Sequence, residues 1–131
     1  MRIALVDDCL DDLSIMHQFL AEALDTDSVI TEFHNGEDFL QHWSADTFDL
    51  IVLDIYMEQL TGIETARDIR ETDPNVCLVF ASTSNEFASE SYEVNACYYL
   101  HKPLFKQQVL AMLDRIVQQT QEDSRTVLQT Q

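Results

Sequence analysis

The feature that most constrains the fold is a nearly continuous apolar run that ends at an aspartate. The run covers Phe48–Leu53, is broken only by Asp49, and leads directly into Asp54. An apolar run of this length is typical of a strand that is buried on both faces of a parallel sheet. Open α/β sheets bind their ligands at the carboxyl ends of the strands. Asp54 is therefore predicted to lie at the ligand-binding edge of a parallel sheet.

Four further short apolar runs alternate with segments of helical periodicity. The predicted strands are Arg2–Val6, Val29–Phe33, Phe48–Leu53, Val76–Ala81 and Cys97–Leu100. The first two helices are predicted to begin at Asp8 or Cys9 and to cover Glu37–Trp43. The other three are marked by Ile63, Ala66 and Ile69, by Asn85–Glu93, and by Phe105, Val109, Met112, Leu113 and Ile116. This alternation predicts an α/β fold in which helices cover both faces of a doubly wound parallel sheet.

The length of the chain and its loss of pattern near the end indicate one domain. At 131 residues the chain is long enough for a single hydrophobic core. Residues 1–120 are predicted to form this domain, because the helical pattern is lost after about Thr120. Residues 121–131 are expected to be a frayed helix end or the start of a linker toward a further C-terminal domain.

The charge balance and the apolar runs restrict the partners of this segment. The chain has 24 acidic and 7 basic residues, which give a formal net charge of −17. Such a surface repels phosphates, so the segment itself is predicted not to bind DNA or RNA. No apolar run approaches a membrane span, no signal peptide is visible, and the three cysteines lack paired-ligand spacing. These features predict a cytoplasmic protein without a membrane partner.

Polar residues follow four of the predicted strands, at the point where each strand ends. In chain order they are Asp7 and Asp8, Asp54, Ser82 and Thr83, and Lys102. Clustered carboxylates repel one another unless a cation neutralises them, and Mg²⁺ prefers oxygen ligands. Lys102 and the hydroxyl of Ser82 are suited to hold oxygens of a phosphate. The sequence therefore predicts a Mg²⁺ site that supports phosphoryl chemistry.

At these residues the chain resembles the receiver domains of two-component response regulators. The resemblance covers about Met1–Gln118 and rests on Val6-Asp7-Asp8, Leu53-Asp54, Met57, Gly62, Ser82, Tyr99 and Lys102-Pro103. The stretch from Phe87 through Tyr92 to Lys102-Pro103 is similar to receivers of regulators that carry a LytTR DNA-binding domain. The resemblance implies a flavodoxin-like sheet of five strands in the order 2-1-3-4-5, with five helices.

The resemblance also implies a role for each residue of the acidic site. Asp54 would be the nucleophile that accepts a phosphoryl group from a sensor histidine kinase. Asp8 and Asp54 would ligate Mg²⁺ directly, together with the backbone carbonyl of Tyr56, and Asp7 would hold a metal-bound water. Lys102 would pair with the phosphoryl oxygens.

Further residues are implied to carry or tune the switch. Ser82 would move toward the new phosphate, and Tyr99 would change rotamer in response. Tyr56 and Ser84 occupy positions that tune autodephosphorylation in the family, and a large Tyr56 favours a long-lived phosphoform. Thr83 stands where Ala or Gly is usual and is expected to slow entry of the phosphodonor.

The implied function is a phosphorylation-activated switch that regulates transcription through a C-terminal DNA-binding effector. Its only catalysis would be its own phosphorylation and autodephosphorylation. Phosphorylation is expected to promote a homodimer through the face made by the fourth helix, the fifth strand and the fifth helix.

Two other functions remain compatible with an acidic site of this kind. A Mg²⁺-dependent phosphohydrolase with an aspartyl-phosphate intermediate wants a second carboxylate two residues after the nucleophile, where this chain has Tyr56. A degenerate receiver that acts only as a protein-interaction module would lack Asp54, Lys102 or one of the acidic pair, and all of these are present.

Overall fold

The structure of the protein, a computed structural model, describes residues 1–57 and 59–129, with side chains up to residue 118. Its strands are β1 (Arg2–Val6), β2 (Val29–Phe33), β3 (Leu50–Asp54), β4 (Cys77–Ser82) and β5 (Tyr98–His101). Its helices are α1 (Leu10–Ala23), α2 (Gly36–His42), α3 (Gly62–Thr72), α4 (Ala88–Glu93) and α5 (Lys106–Gln129). The strands pair in parallel in the order β2-β1-β3-β4-β5. The predicted flavodoxin-like fold is confirmed.

Two apolar layers enclose the sheet, one on each face. One layer packs α2 and α3 on the sheet around Phe39, Phe80 and Ile69, and the other packs α1 and α5 around Leu20 and Met112. All five residues of β3 are buried, as the apolar run predicts. Helices therefore cover both faces of β3, and its carboxyl end is the place where Asp54 meets the adjoining loops.

Several element boundaries differ from the predicted ones by a few residues. Strand β3 begins at Leu50 rather than Phe48. Asp49 is bonded to the start of β1 instead, because its carboxylate accepts from the backbone N–H of Arg2 at 2.7 Å. Helix α4 begins at Ala88 rather than Asn85, because the Ser84 hydroxyl accepts from the Glu86 N–H at 3.0 Å and forms a turn there.

The last helix continues past the predicted end of its pattern. Helix α5 runs to Gln129, through most of the segment that was expected to be a frayed end or a linker. Residues 130 and 131 of that segment lie outside the described residues. Within the part of the chain that the structure describes, no helix is both long and apolar enough to cross a membrane.

A close backbone contact holds the start of α3 against the end of β3. A Cβ atom on Gly62 would lie 2.2 Å from the carbonyl oxygen of Asp54, so only glycine fits at the start of α3. Thr61 and Glu64 form a capping box at the same helix end. The first turn of α3 is therefore held directly against the backbone of Asp54.

Candidate functional site

Three carboxylates meet at the carboxyl ends of β1 and β3. Val6 pairs with Leu53 in the sheet, so the residues that follow them, Asp7 and Asp54, are neighbours. Asp7, Asp8 and Asp54 each place a carboxylate oxygen within 4.8 Å of the others. Asp7 and Asp54 are buried and Asp8 is exposed, so the cluster opens to solvent on the side of Asp8. The structure thus brings together the three side chains that the sequence assigned to a metal.

Lys102 reaches the same cluster from the end of β5. Its Nζ lies 2.8 Å from Asp7 Oδ2 and 3.3 Å from Asp54 Oδ1, and its side chain is only 9% exposed. The backbone N–H of Lys102 donates to the Ser82 carbonyl at 2.8 Å, which ties it to the end of β4. The Lys102–Pro103 peptide bond is cis. A buried ammonium therefore faces the predicted phosphoacceptor.

A fourth carboxylate in this network was not predicted. Lys102 Nζ donates to Asp12 Oδ2 at 2.8 Å, which is as short as its bond to Asp7. In the sequence, Asp12 reads only as a favourable acidic residue in the first turn of α1. The partner lies 90 residues away in the chain, so no local pattern indicates the contact.

Burial and charge act on the proton affinities of these groups in opposite directions. Burial raises the pKa of Asp54 to about 7, and the charge of Asp7 adds to this, while Lys102 opposes both. Burial by itself would lower the pKa of Lys102, but the hydrogen bonds to Asp12 and Asp7 and the charge of Asp54 outweigh it and raise that pKa. Lys102 therefore stays protonated. Its single positive charge does not fully compensate the negative charge of the neighbouring carboxylates.

This donor set fits a hard divalent cation. All three clustered side chains offer carboxylate oxygens, which are the ligands that Mg²⁺ prefers. Burial and the charge of Asp7 disfavour the charged form of Asp54, and the Lys102 ammonium does not offset both of them. A cation held by Asp7, Asp8 and Asp54 would supply the missing charge.

The raised pKa of Asp54 predicts a pH dependence of the metal-free stability. Between its ordinary value of 3.8 and about 7, folded Asp54 keeps its proton and unfolded Asp54 loses it. The free energy of unfolding should therefore fall as pH rises through this window, because the folded state binds more protons there. Denaturant titrations in a chelator, repeated at several pH values, measure this. The free energy of unfolding should fall less steeply with pH for Asp54→Asn than for the wild type. Parallel pH profiles for the two proteins would contradict the assignment.

The predicted switch residues meet at one turn after β4. Ser82 is fully buried, and its hydroxyl accepts from the Ser84 N–H at 3.2 Å. The Tyr99 hydroxyl donates to the Ser84 carbonyl at 2.5 Å, and its ring lies 5.4 Å from the ring of His101. Thr83, between the two serines, is exposed. Ser82 and Tyr99 are thus both bonded to the backbone of Ser84, one to its N–H and the other to its carbonyl.

Tyr56 joins the loop after β3 to the loop before α4. Its hydroxyl donates to Glu86 Oε2 at 2.7 Å, and its ring meets Phe87 edge-on at 5.4 Å. The hydrogen bond to Glu86 raises the pKa of Tyr56, so its hydroxyl stays protonated as a donor. Glu86 was not predicted as part of the site, because its partner lies 30 residues earlier in the chain.

Known proteins with similar sequences and structures point to one family. The sequence profile of the response regulator receiver domain matches residues 3–114. The sensory transduction protein LytR of Staphylococcus epidermidis is 31% identical over 99 residues, which cover 76% of this chain and 39% of that protein. The transcriptional regulatory protein NatR of Bacillus subtilis is 25% identical over 124 residues, which cover 95% of this chain and 53% of that protein.

The solved structures give the same result. The response regulator DrrB of Thermotoga maritima superposes with a TM-score of 0.77 at 27% identity, over 91% of this chain and 53% of that chain. The chain thus spans about half or less of the length of each of these relatives. The profile match covers most of the chain, including the acidic cluster and Lys102. The chain therefore belongs to the response regulator receiver domain family of two-component systems.

Proposed function

We propose that this receiver domain accepts a phosphoryl group from a sensor histidine kinase on Asp54, in a reaction that requires Mg²⁺. The observation that carries the proposal is the environment of Asp54. Its buried carboxylate lies beside those of Asp7 and Asp8, and the Lys102 ammonium is 3.3 Å away. A divalent cation together with phosphoryl oxygens would engage all of these side chains.

In the proposed reaction a carboxylate oxygen of Asp54 attacks the phosphorus of a phosphohistidine. The new O–P bond forms as the N–P bond breaks, and the electron pair of the broken bond stays on the imidazole nitrogen. Lys102 holds the phosphoryl oxygens in position, where its charge stabilises the negative charge of the transferring group. Bound Mg²⁺, held directly by Asp8, Asp54 and the carbonyl of Tyr56 and by Asp7 through a bound water, would neutralise the rest of that charge.

The switch is proposed to act through the turn at Ser84. In the unphosphorylated protein the Ser82 hydroxyl accepts from the Ser84 N–H, and Tyr99 donates to the Ser84 carbonyl. When Ser82 turns its hydroxyl toward the phosphoryl group, it gives up its bond to Ser84. The turn is then free to shift, and Tyr99 loses the acceptor that holds its present rotamer. Coupling through a two-state element of this kind is how a local charge change becomes a signal.

The output surface is proposed to be the face made by α4, β5 and α5. Helix α4 has only six residues and no side-chain cap at its start. Its far end is anchored, because Arg70 donates to the carbonyls of Val94 at 2.7 Å and Asn95 at 3.1 Å. Motion of α4 is therefore expected at its start, next to the Ser84 turn. Tyr92, 87% exposed on the same helix, is a candidate contact for a second copy.

Self-association through this face is testable by sedimentation. With Mg²⁺ and beryllofluoride, which stands in for the phosphoryl group, the wild type is expected to sediment as a dimer and the untreated protein as a monomer. Tyr92→Ala should weaken the dimer without changing the binding of beryllofluoride. The proposed output surface is wrong if the wild type with Mg²⁺ and beryllofluoride stays monomeric at protein concentrations well above those found in cells.

We propose that the effector is a DNA-binding domain C-terminal to this receiver domain. LytR and NatR are longer than this chain, and NatR is named as a transcriptional regulator. With a net charge of −17, this segment is unsuited to contact DNA itself. Signalling from a histidine kinase to such an effector would take place in the cytoplasm.

Turnover as a phosphohydrolase is disfavoured by the residue two positions after Asp54. That residue is Tyr56, whose hydroxyl is engaged with Glu86 and which offers no carboxylic acid to a leaving group. The chain is therefore proposed to catalyse only its own phosphorylation and dephosphorylation.

Incubation with acetyl phosphate and Mg²⁺ tests the proposed function. Intact mass spectrometry should show one added phosphoryl group on the wild type and none on Asp54→Asn. Chelation of Mg²⁺ should suppress the addition. A phosphoryl group that persists on Asp54→Asn would assign the chemistry to another residue.

A further inference from the structure

Asp12 is bonded to Lys102 although it lies outside the carboxylate cluster. It is the third residue of α1, and its Oδ2 lies 2.8 Å from Lys102 Nζ. The corresponding distances are 2.8 Å for Asp7 and 3.3 Å for Asp54. The predicted phosphoacceptor is therefore the most distant of the three partners of Lys102.

The start of α1 places Asp12 at this point. The Asp7 carboxylate accepts from the Cys9 N–H at 2.9 Å and turns the chain from β1 into the helix. Leu13 and Met16 bury the inner face of α1 against the sheet. Asp12 precedes Leu13 at the margin of that face, where its side chain is 31% exposed and contacts Lys102.

The donors of Lys102 are fully used in this arrangement. An ammonium group has three N–H donors, and here three carboxylates accept from it. A phosphoryl group on Asp54 would bring new acceptor oxygens into reach of the same nitrogen. Phosphorylation removes the carboxylate charge of Asp54, which frees one donor of Lys102. To hold two phosphoryl oxygens, Lys102 must also give up a second partner.

Of the two partners that remain carboxylates when Asp54 carries the phosphoryl group, Asp12 costs less to release than Asp7. Asp7 belongs to the cluster suited to a cation, and its side chain is only 10% exposed. Asp12 lies outside that cluster and is partly open to water, so its carboxylate can be hydrated when the bond breaks.

We propose that Asp12 is a positioning residue that holds Lys102 in the unphosphorylated protein and releases it to the phosphoryl group. The proposal rests on the proposed function, since it assumes that Lys102 binds a phosphoryl group on Asp54. The bond between Asp12 and Lys102 then stabilises only the unphosphorylated state. Its removal should favour the phosphorylated state.

Titration with beryllofluoride at a fixed Mg²⁺ concentration tests this inference. Asp12→Asn should bind the mimic more tightly than the wild type, by about three- to tenfold, as expected for the loss of one partly exposed charge-assisted hydrogen bond. Asp11→Asn is the matched control, because it removes the same charge from the same helix turn. Asp11 is exposed and has no ion pair within the described residues. Its substitution should leave the affinity within about twofold of the wild type, as expected for a screened surface charge.

A spectroscopic measurement separates release of Lys102 from a general effect of charge. Lys102 and Lys106 are the only lysines in the sequence, so ¹³C-labelled lysine gives two side-chain signals. Lys106 pairs with Glu22 at 3.3 Å and serves as the internal reference. The Lys102 signal of unliganded Asp12→Asn should move away from its wild-type position, and the Lys106 signal should stay. In Asp11→Asn both signals should stay.

The possible results distinguish this inference from the proposed function. If the wild type binds beryllofluoride and Asp12→Asn binds it equally or more weakly, Asp12 does not compete with the phosphoryl group and the inference is wrong. Equal gains in Asp12→Asn and Asp11→Asn would show a general effect of charge and would also overturn it. A wild type that does not bind the mimic at all would overturn the proposed function, and the inference with it.

Discussion

Replacing Lys102 with methionine is expected to destabilise the metal-free protein strongly and to slow phosphorylation. The substitution keeps the length of the side chain but leaves Asp7 and Asp54 buried without a cation. Removing one partner of a buried ion pair costs about 3 kcal/mol or more of the free energy of unfolding. Loss of a charge that stabilises the transferring group should reduce the rate of phosphorylation by about a hundredfold.

Lys106→Met is the matched control for this substitution. Lys106 is the only other lysine, is exposed, and pairs with Glu22 at the surface. Its loss should change the free energy of unfolding by at most about 1 kcal/mol, because exposed ion pairs contribute little. Urea titrations without and with Mg²⁺ measure both variants. Equal effects of the two substitutions would mean that Lys102 does not compensate the acidic cluster.

Asp8→Ala is expected to abolish the stabilisation of the protein by Mg²⁺. In the wild type, a ligand at a hundred times its dissociation constant should add about 2.7 kcal/mol to the free energy of unfolding. Without metal, Asp8→Ala should be somewhat more stable than the wild type, because one of three mutually repelling carboxylates is gone. Melting curves at increasing Mg²⁺ concentrations give both quantities.

An acidic residue just before a helix can cap it, and loss of a cap would offset the gain in stability expected for Asp8→Ala. In this structure Asp8 does not cap α1. Cys9 is the N-cap of α1, and no side-chain hydrogen bond caps this helix. The backbone of Cys9 is held by Asp7 instead, so Asp8→Ala removes no helix cap. Asp11→Ala is the control for charge alone and should keep the response to Mg²⁺. If Asp8→Ala responds to Mg²⁺ as the wild type does, the metal is held elsewhere.

Most of the fold can be predicted from the sequence, because each buried strand is marked by a local run of apolar residues. The run before Asp54 specifies β3 without reference to the rest of the chain, and all five residues of β3 are buried. The strand order cannot be predicted from such local patterns, since alternation of strands and helices is compatible with several orders. It came from the resemblance, and the pairing of Val6 with Leu53 confirms that β1 lies beside β3.

The contacts that the sequence does not predict join residues far apart in the chain. Asp12 and Glu86 each read as solvated acidic residues, and each turns out to bond a side chain of the site. The late start of α4 has a different cause, because the Ser84 hydroxyl competes for the backbone N–H of Glu86. Strands and their terminal carboxylates follow from local pattern, whereas the partners of Lys102 and Tyr56 depend on tertiary packing.

Identification of the phosphorylated residue is the most direct test of the central claim. Borohydride reduces an aspartyl phosphate to homoserine, which tandem mass spectrometry locates in a peptide. After treatment with a small phosphodonor and Mg²⁺, homoserine is expected at position 54 and at no other aspartate. Its appearance at position 7, 8 or 12 instead, or at no position in a protein whose intact mass shows the added phosphoryl group, would contradict the account.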